Sequence, residues 1–160
     1  MQRPLDHKLR KRLLRPPSVG DMLDLCEENY LNLQRLVPQL KQLRGHHCSR
    51  RAGHQDLHLT ILEQTPYTTL LRLTYRFGGD PGAAADPDAL LRVYHDARQV
   101  EVEDLRQQSL PTVRVYGPSA LHNRWRVSLF VAKWLSFCHL QGHLFLADRH
   151  FAPELACETG

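Results

Sequence analysis

The chain has 160 residues, of which 42% are apolar and 24% are charged, so its composition excludes global disorder and a disulfide-dense mini-scaffold. This length predicts one domain with its own hydrophobic core. The net charge of +4 belongs to residues 1–17, since the rest of the chain has 15 basic and 16 acidic side chains, and the body is therefore not predicted to bind nucleic acid.

Residues 1–17 form a basic arm that ends in Pro16 and Pro17. Leu5, Leu9 and Leu13 would make only a single apolar stripe on a helix, which is too little to offset the entropy of ordering. We predict a solvated, disordered extension. The alternative is a docking arm for an acidic protein, nucleic acid or anionic lipid, which would use Lys8, Arg10, Lys11, Arg12 and Arg15.

A helix is predicted from Ser18 to about Pro38. Ser18 suits the N-cap position, and Asp21 places a carboxylate in the first turn, where the helix dipole favours it. Apolar residues such as Leu25 and Leu33 recur at three- and four-residue spacing. These features predict about 18 helical residues with one buried face.

Residues 39–54 have neither helical nor strand periodicity, which predicts a mobile loop. A group of potential metal ligands falls in or next to this loop: His46, His47, Cys48, His54 and His58. Their spacing is irregular, and Arg50 and Arg51 lie between them and repel a cation. No metal site and no cofactor are predicted.

Two antiparallel strands are predicted next. Leu57, Leu59 and Ile61 alternate in the first, and residues 67–77 keep the same period of two in the second. Pro66 stands at the beginning of the second strand, where its missing N–H does least harm. Residues 78–88 have little apolar content and are predicted to form a flexible connection.

A hairpin is predicted over residues 90–104. Leu91, Val93 and His95 alternate with Arg92 and Tyr94, and Val100 and Val102 alternate with polar residues. The His95-Asp96 pair resembles a metallohydrolase dyad, but a turn at Asp96 and Ala97, closed by the Asp96 side chain, explains it without catalysis. Cross-strand neighbours could still line one ligand or partner patch, consisting of Arg92, Tyr94, His95, Asp96, Glu101 and Glu103.

The last elements are a possible fifth strand around Val113 and Val115 and a second helix from about Ala120 to Gly142, which suits the C′ position. This helix is apolar over much of its circumference, so more than one of its sides needs a cover. We therefore predict exposed apolar surface around Trp134 and Phe137, facing a partner.

The four cysteines, at positions 26, 48, 138 and 157, are too far apart for a Cys-x-x-Cys pair. Cys26 and Cys138 fall on apolar helix faces, where buried, inert thiols are expected. No stretch is long and apolar enough to span a membrane, and a charged N-terminus does not resemble a signal peptide. A reducing, cytoplasmic setting is predicted.

Together the elements predict a single α+β domain over residues 18–148, followed by a tail at 149–160. Its core would be an antiparallel sheet of four to five strands, packed on one face by an N-terminal and a C-terminal helix.

Four stretches resemble the YqiB-like bacterial family, which is classed as a domain of unknown function. In chain order they are "LCEENYLNLQRLVP" (25–38), "TILEQTPYTTLLRL" (60–73), "RVYHDARQVEV" (92–102) and "FVAKWLSFCHLQG" (130–142). The resemblance covers most of residues 18–142. It implies no established activity, cofactor or catalytic residue.

The sequence contains no glycine-rich phosphate loop, nucleophile elbow or zinc-protease helix. We therefore predict a non-catalytic binding or regulatory module that acts through protein–protein contacts, with an unknown protein or by self-association. The alternative is a small hydrolase or ligand-sensing domain that uses the 92–103 hairpin. A weaker alternative is binding to nucleic acid or an anionic surface through the basic arm.

Overall fold

The computed structural model describes residues 17–76, 85–107 and 120–147. A five-stranded antiparallel sheet, in which every strand pairs with its neighbours in sequence, is combined with two helices. The elements are α1 (Val19–Leu36), a 3₁₀ turn (Leu40–Gln42), β1 (Gly45–Ser49), β2 (Asp56–Gln64), β3 (Thr68–Arg76), β4 (Ala85–Tyr94), β5 (Gln99–Arg106) and α2 (Ala120–Leu140). The predicted α+β class, the number of strands and the two terminal helices are confirmed.

Helix α1 begins at the predicted cap. The Ser18 side chain accepts from the Asp21 amide at 3.1 Å, and the Asp21 carboxylate accepts from the Ser18 amide at 2.9 Å. This reciprocal pair satisfies two amides that the first helical turn leaves without partners.

Two buried amides hold α1 against α2. The side chain of Asn29 donates to the Ser128 carbonyl oxygen at 3.1 Å, and that of Asn32 donates to the Ala132 carbonyl oxygen at 3.4 Å. Such bonds fix the position of one helix along the other, because a sliding helix would leave buried polar groups without partners.

Gly142 occupies the C′ position after the end of helix α2, as predicted. The amide of His143 donates to the Cys138 carbonyl oxygen and that of Gly142 to the His139 carbonyl oxygen, which is the pattern of a Schellman motif. Gly142 has φ +90°, a conformation that glycine adopts without steric strain. The segment after Gly142 contacts the end of α1, where the Phe145 amide donates to the Leu36 carbonyl oxygen at 2.8 Å.

The core lies between the helices and one face of the sheet. Its fully buried side chains include Leu33, Leu36, Leu57, Leu59, Leu71, Leu73, Leu91, Val93, Val100 and Leu135. The predicted inward positions in β2, β3 and the hairpin are therefore confirmed at these residues.

Two predictions about loops are wrong. Within residues 39–54 the structure has the 3₁₀ turn and strand β1, which pairs with β2 in the register Gly45↔Ile61 to Ser49↔Leu57. Strand β4 begins at Ala85, inside the predicted 78–88 connection, and its Asp88 accepts from Arg72 and Thr74 on the neighbouring strand. In both cases the segment has little apolar pattern of its own. It becomes a strand because its backbone pairs with a neighbouring strand whose pattern is strong.

Three other predictions lie outside the described residues: the state of the basic arm up to residue 16, the strand around Val113 and Val115, and the 149–160 tail. Neither helix in the described ranges combines the length and apolarity needed to cross a membrane.

Candidate functional site

The predicted hairpin patch does not form one surface. The turn between β4 and β5 is where it was expected, but the six residues separate onto two sides of the sheet and its tip. His95 is buried on the core side with Val93, whereas Arg92, Tyr94, Glu101 and Glu103 lie away from it. Side chains one residue apart on a strand point to opposite faces, so His95 cannot join Tyr94 in one patch.

The polar residues that lie away from His95 pair with one another. The Arg92 guanidinium binds Glu103 at 2.5 Å, the Tyr94 hydroxyl donates to Glu101 at 3.3 Å, and Arg124 of α2 lies 3.8 Å from Glu101. Burial and the neighbouring Glu101 carboxylate raise the pKa of Tyr94. These contacts connect β4, β5 and α2, and Tyr94, Glu101 and Arg124 also line a second cavity of about 310 Å³, which the two helices help to enclose.

Asp96 is exposed at the tip of the turn. The turn is closed by its backbone, because the Arg98 amide donates to the His95 carbonyl oxygen at 3.3 Å. The predicted closure by the Asp96 side chain is therefore wrong. Arg98 has φ 54°, and its guanidinium lies 5.3 Å from the centre of the Tyr30 ring, a cation–π contact with α1.

His95 is 8% exposed and takes part in a buried chain of hydrogen bonds. Its Nε2 lies 2.7 Å from the Thr69 hydroxyl, and that hydroxyl donates to Gln64 Oε1. Gln64 Nε2 in turn donates to the carbonyl oxygens of Leu40 at 2.9 Å and Leu43 at 3.3 Å.

This chain has a direction, which fixes the tautomer of His95. Two backbone carbonyls can only accept, so they fix the amide orientation of Gln64, and its Oε1 must accept from Thr69. The single hydroxyl proton of Thr69 is then used, so the hydroxyl accepts from His95 Nε2–H. Nδ1 is therefore the unprotonated nitrogen, with a lone pair that can accept a hydrogen bond.

A cavity of about 240 Å³ lies beside this imidazole. Leu33, Val37, Leu40 and Val93 supply its apolar lining, and Tyr30, Gln34, Gln39, Lys41, Gln42 and His95 supply polar groups. Burial, followed by the charge of Lys41, lowers the pKa of His95. At neutral pH the cavity thus combines a neutral imidazole with a nearby cation.

The potential metal ligands come together on the other face of the sheet, since β1 and β2 align them as cross-strand neighbours. His58 Nδ1 lies 3.1 Å from His46 Nε2, and His58 Nε2 lies 3.9 Å from the Cys48 sulfur. Burial, with the charges of His46 and Arg76, lowers the pKa of His58 to about 4. His47 points elsewhere and bonds to the Arg44 carbonyl oxygen at 2.7 Å.

The two residues predicted to face a partner differ. Phe137 is 52% exposed, but Trp134 is only 5% exposed and packs edge-on against Tyr75 with 5.4 Å between ring centres. The prediction for Trp134 is therefore wrong: the inner face of the sheet covers it.

Cys26 and Cys138 are buried, as predicted. Burial raises the pKa of both thiols, that of Cys138 to about 12. Cys138 also lies 3.0 Å from the Tyr75 hydroxyl. Neither thiol is activated as a nucleophile.

Sequence reasoning missed Thr69, Gln64 and Lys41 as parts of the His95 site. The period of two over residues 67–77 places Thr69 on the same face as Leu71 and Leu73, but a threonine in a strand is ordinary. Gln64 and Lys41 reach the site only because the segment after α1 folds back across the end of β2. No local pattern signals that arrangement.

The comparisons with known proteins agree with the resemblance noted in the sequence. A family model described as "Protein of unknown function (DUF1249)" matches residues 32–144. The chain is 32% identical over 132 residues to the uncharacterized protein YqiB of Escherichia coli K12, a match that spans 79% of this chain and 91% of that protein. The YqiB proteins of E. coli O6:H1 and O157:H7 match to the same extent. No solved structure matches the chain. With a family model over most of its length and relatives that it covers almost completely, the chain belongs to the DUF1249 family of proteins of unknown function.

Proposed function

We propose that this protein is a non-catalytic binding module that takes a small organic acid in the cavity beside His95. The observation that carries the proposal is the directed hydrogen-bond chain from Gln64 through Thr69, which leaves Nδ1 as the unprotonated nitrogen of His95, a residue that lines the cavity. Pre-oriented polar groups set beside apolar side chains are the usual form of a small-molecule site.

The same chain argues for binding over catalysis. A general base is usually oriented by a carboxylate and placed beside a nucleophile. Here the hydroxyl that contacts His95 already donates to Gln64, so the imidazole cannot withdraw its proton. Among the described residues no carboxylate is hydrogen-bonded to His95.

The lining defines the ligand. Lys41 attracts an anionic group, His95 Nδ1 requires a hydroxyl or amino donor, and the leucine and valine side chains suit a branched apolar body. A cavity of about 240 Å³ is smaller than typical drug-sized sites of roughly 300–1,000 Å³, so the ligand is small. A short-chain 2-hydroxy acid or amino acid meets all three requirements.

The test compares two probes that differ in a single donor, 2-hydroxy-4-methylpentanoate and 4-methylpentanoate. Calorimetric titration of the full chain should show the hydroxy acid binding roughly tenfold more tightly, because one hydrogen bond to a polar acceptor contributes about 1–1.5 kcal/mol. His95→Gln can keep a donor toward Thr69 but has no acceptor at the Nδ1 position. It should remove the difference between the probes.

The matched control is His47→Gln, which changes the same residue type outside the cavity and should leave both affinities unchanged. Lys41→Gln should weaken both acids equally, since it removes an attraction that they share. The proposal is wrong if neither acid binds, or if the preference for the hydroxy acid persists in His95→Gln.

A protein contact through α2 is the second candidate, as the sequence predicted. Phe137 is 52% and Leu140 is 80% exposed, and residues three apart on a helix are neighbours on its surface. We propose a second copy of the chain as the partner. Sedimentation velocity should show association that rises with concentration and is lost in Phe137→Ser with Leu140→Ser; a chain that stays monomeric excludes it.

A further inference from the structure

We propose that Cys48, Asp56 and His58 form a zinc-binding site on the outer face of the sheet, at the β1–β2 edge. The site is distinct from the His95 cavity, which lies toward the helices. It uses a thiolate, a carboxylate and an imidazole, which are the three ligand types that zinc prefers in proteins.

The strand register brings the ligands together. Cys48 and His58 are directly opposed in the β1–β2 ladder, and Asp56 lies two residues before His58, on the same side of its strand. One potential ligand atom from each of the three residues lies within 4.8 Å of the others. Zinc–sulfur and zinc–nitrogen bonds of about 2.3 and 2.0 Å place S and N about 3.5 Å apart in a tetrahedral site. The observed 3.9 Å between Cys48 Sγ and His58 Nε2 is close to that separation.

A second layer of hydrogen bonds orients the imidazole for a metal. With Nε2 of His58 turned toward the thiol, its Nδ1 lies 3.1 Å from His46 Nε2. His46 Nδ1 is in turn 2.9 Å from the Thr60 hydroxyl. A zinc-bound histidine almost always donates its other N–H to an outer acceptor, which fixes the tautomer and raises its basicity as a ligand. Here Nε2 of a neutral His46 is in place to accept that hydrogen bond.

The arginines that argued against a metal in the sequence are engaged with other groups. Arg51 donates to the Gly142 carbonyl oxygen at 2.6 Å, and Arg50 lies 3.4 Å from Asp56 Oδ2. The latter contact orients the carboxylate while its second oxygen can still bind a metal. Arg76, opposite Asp56 in the ladder, is a further cation among the described residues, and its charge opposes binding. A thiolate and a carboxylate together balance the charge of one Zn²⁺.

The described residues supply three ligands, which leaves the fourth tetrahedral position for water or an exogenous group. All three side chains are half-buried, so the metal would be reached from solvent. The proposal therefore predicts an exchangeable zinc ion, in contrast to the closed four-ligand site of a structural zinc domain.

Cobalt(II) titration of the full chain, purified without metal, tests the site because cobalt replaces zinc and reports its ligands by absorption. We expect a thiolate-to-cobalt charge-transfer band with the visible bands of a four-coordinate ion, saturating at one equivalent. Added zinc should abolish both the charge-transfer band and the visible bands. Nuclear magnetic resonance of the unmodified chain with zinc should show the largest shifts at His58 and Cys48.

Variants assign the ligands. Cys48→Ser should lose the charge-transfer band, and His46→Gln should weaken zinc binding by about 10–100-fold through loss of the outer hydrogen bond. His47→Gln is the matched control, since this adjacent histidine faces away from the cluster, and it should bind as the parent does. A missing thiolate band, a band that persists in Cys48→Ser, or zinc shifts away from β1 and β2 would each overturn the proposal. The last result can be read even if a variant fails to fold.

Discussion

Replacing Thr69 by valine tests the directed hydrogen-bond chain at its centre. The Thr69 side chain is completely buried, and valine matches its shape without the hydroxyl. The change leaves Gln64 Oε1 without its donor and His95 Nε2–H without its acceptor. Each buried polar atom left without a partner costs about 1–3 kcal/mol, so we expect the free energy of unfolding to fall by about 2–6 kcal/mol.

Serine at the same position is the matched control. Thr69→Ser keeps the hydroxyl and loses one methyl group, which should cost only about 1 kcal/mol. Urea denaturation of the two variants measures the difference, and ¹⁵N resonances of the His95 ring report its tautomer. If Thr69→Val is as stable as Thr69→Ser and His95 keeps its proton on Nε2 in both, the chain does not orient the imidazole.

The other predictions concern charge, pH and backbone conformation. Lys41→Gln should raise the pKa of His95 in a proton-resonance titration, because the Lys41 charge helps to lower it; an unchanged pKa would place Lys41 too far away. The pKa values of His95 and His143 are below the usual 6.5, mainly through burial, so the unfolded chain binds more protons in acid. The free energy of unfolding should therefore have its full value above about pH 6.5 and should decrease as the pH drops toward the folded-state pKa values. Urea midpoints that do not change between pH 7 and 5 would refute this. Gly142→Ala should cost about 1–2 kcal/mol because φ is +90°, whereas Gly20→Ala in α1 should stabilise by about 0.5 kcal/mol; thermal melting with the same sign for both would contradict the assignment.

The elements that the sequence predicted are those with strong local patterns. Ser18 and Asp21 mark the beginning of α1, and Gly142 marks the end of α2, because capping depends on a few adjacent residues. The alternation of Leu71 and Leu73 predicts β3 because one face of that strand packs on the core. Such signals need no knowledge of distant contacts.

The errors arose where distant parts of the chain decide the structure. Strand β1 carries a polar, histidine-rich sequence and exists through its pairing with β2. Trp134 is covered by Tyr75, which is 59 residues away in the chain. The alternation of residues 91–95 did place His95 on the same face as Leu91 and Val93. The prediction of one patch that contains both His95 and Tyr94 overlooked that signal. The potential metal ligands were weighed by their spacing along the chain, whereas the antiparallel register of β1 and β2 decides which of them lie together.

The most direct test of the central claim follows the His95 ring nitrogens during titration with 2-hydroxy-4-methylpentanoate. We predict that Nε2 carries the proton before ligand is added, and that Nδ1 alone shifts, saturably, toward the value of a hydrogen-bonded acceptor. A proton on Nδ1 in the unliganded protein, or ligand-induced shifts that leave His95 unchanged, would contradict the account.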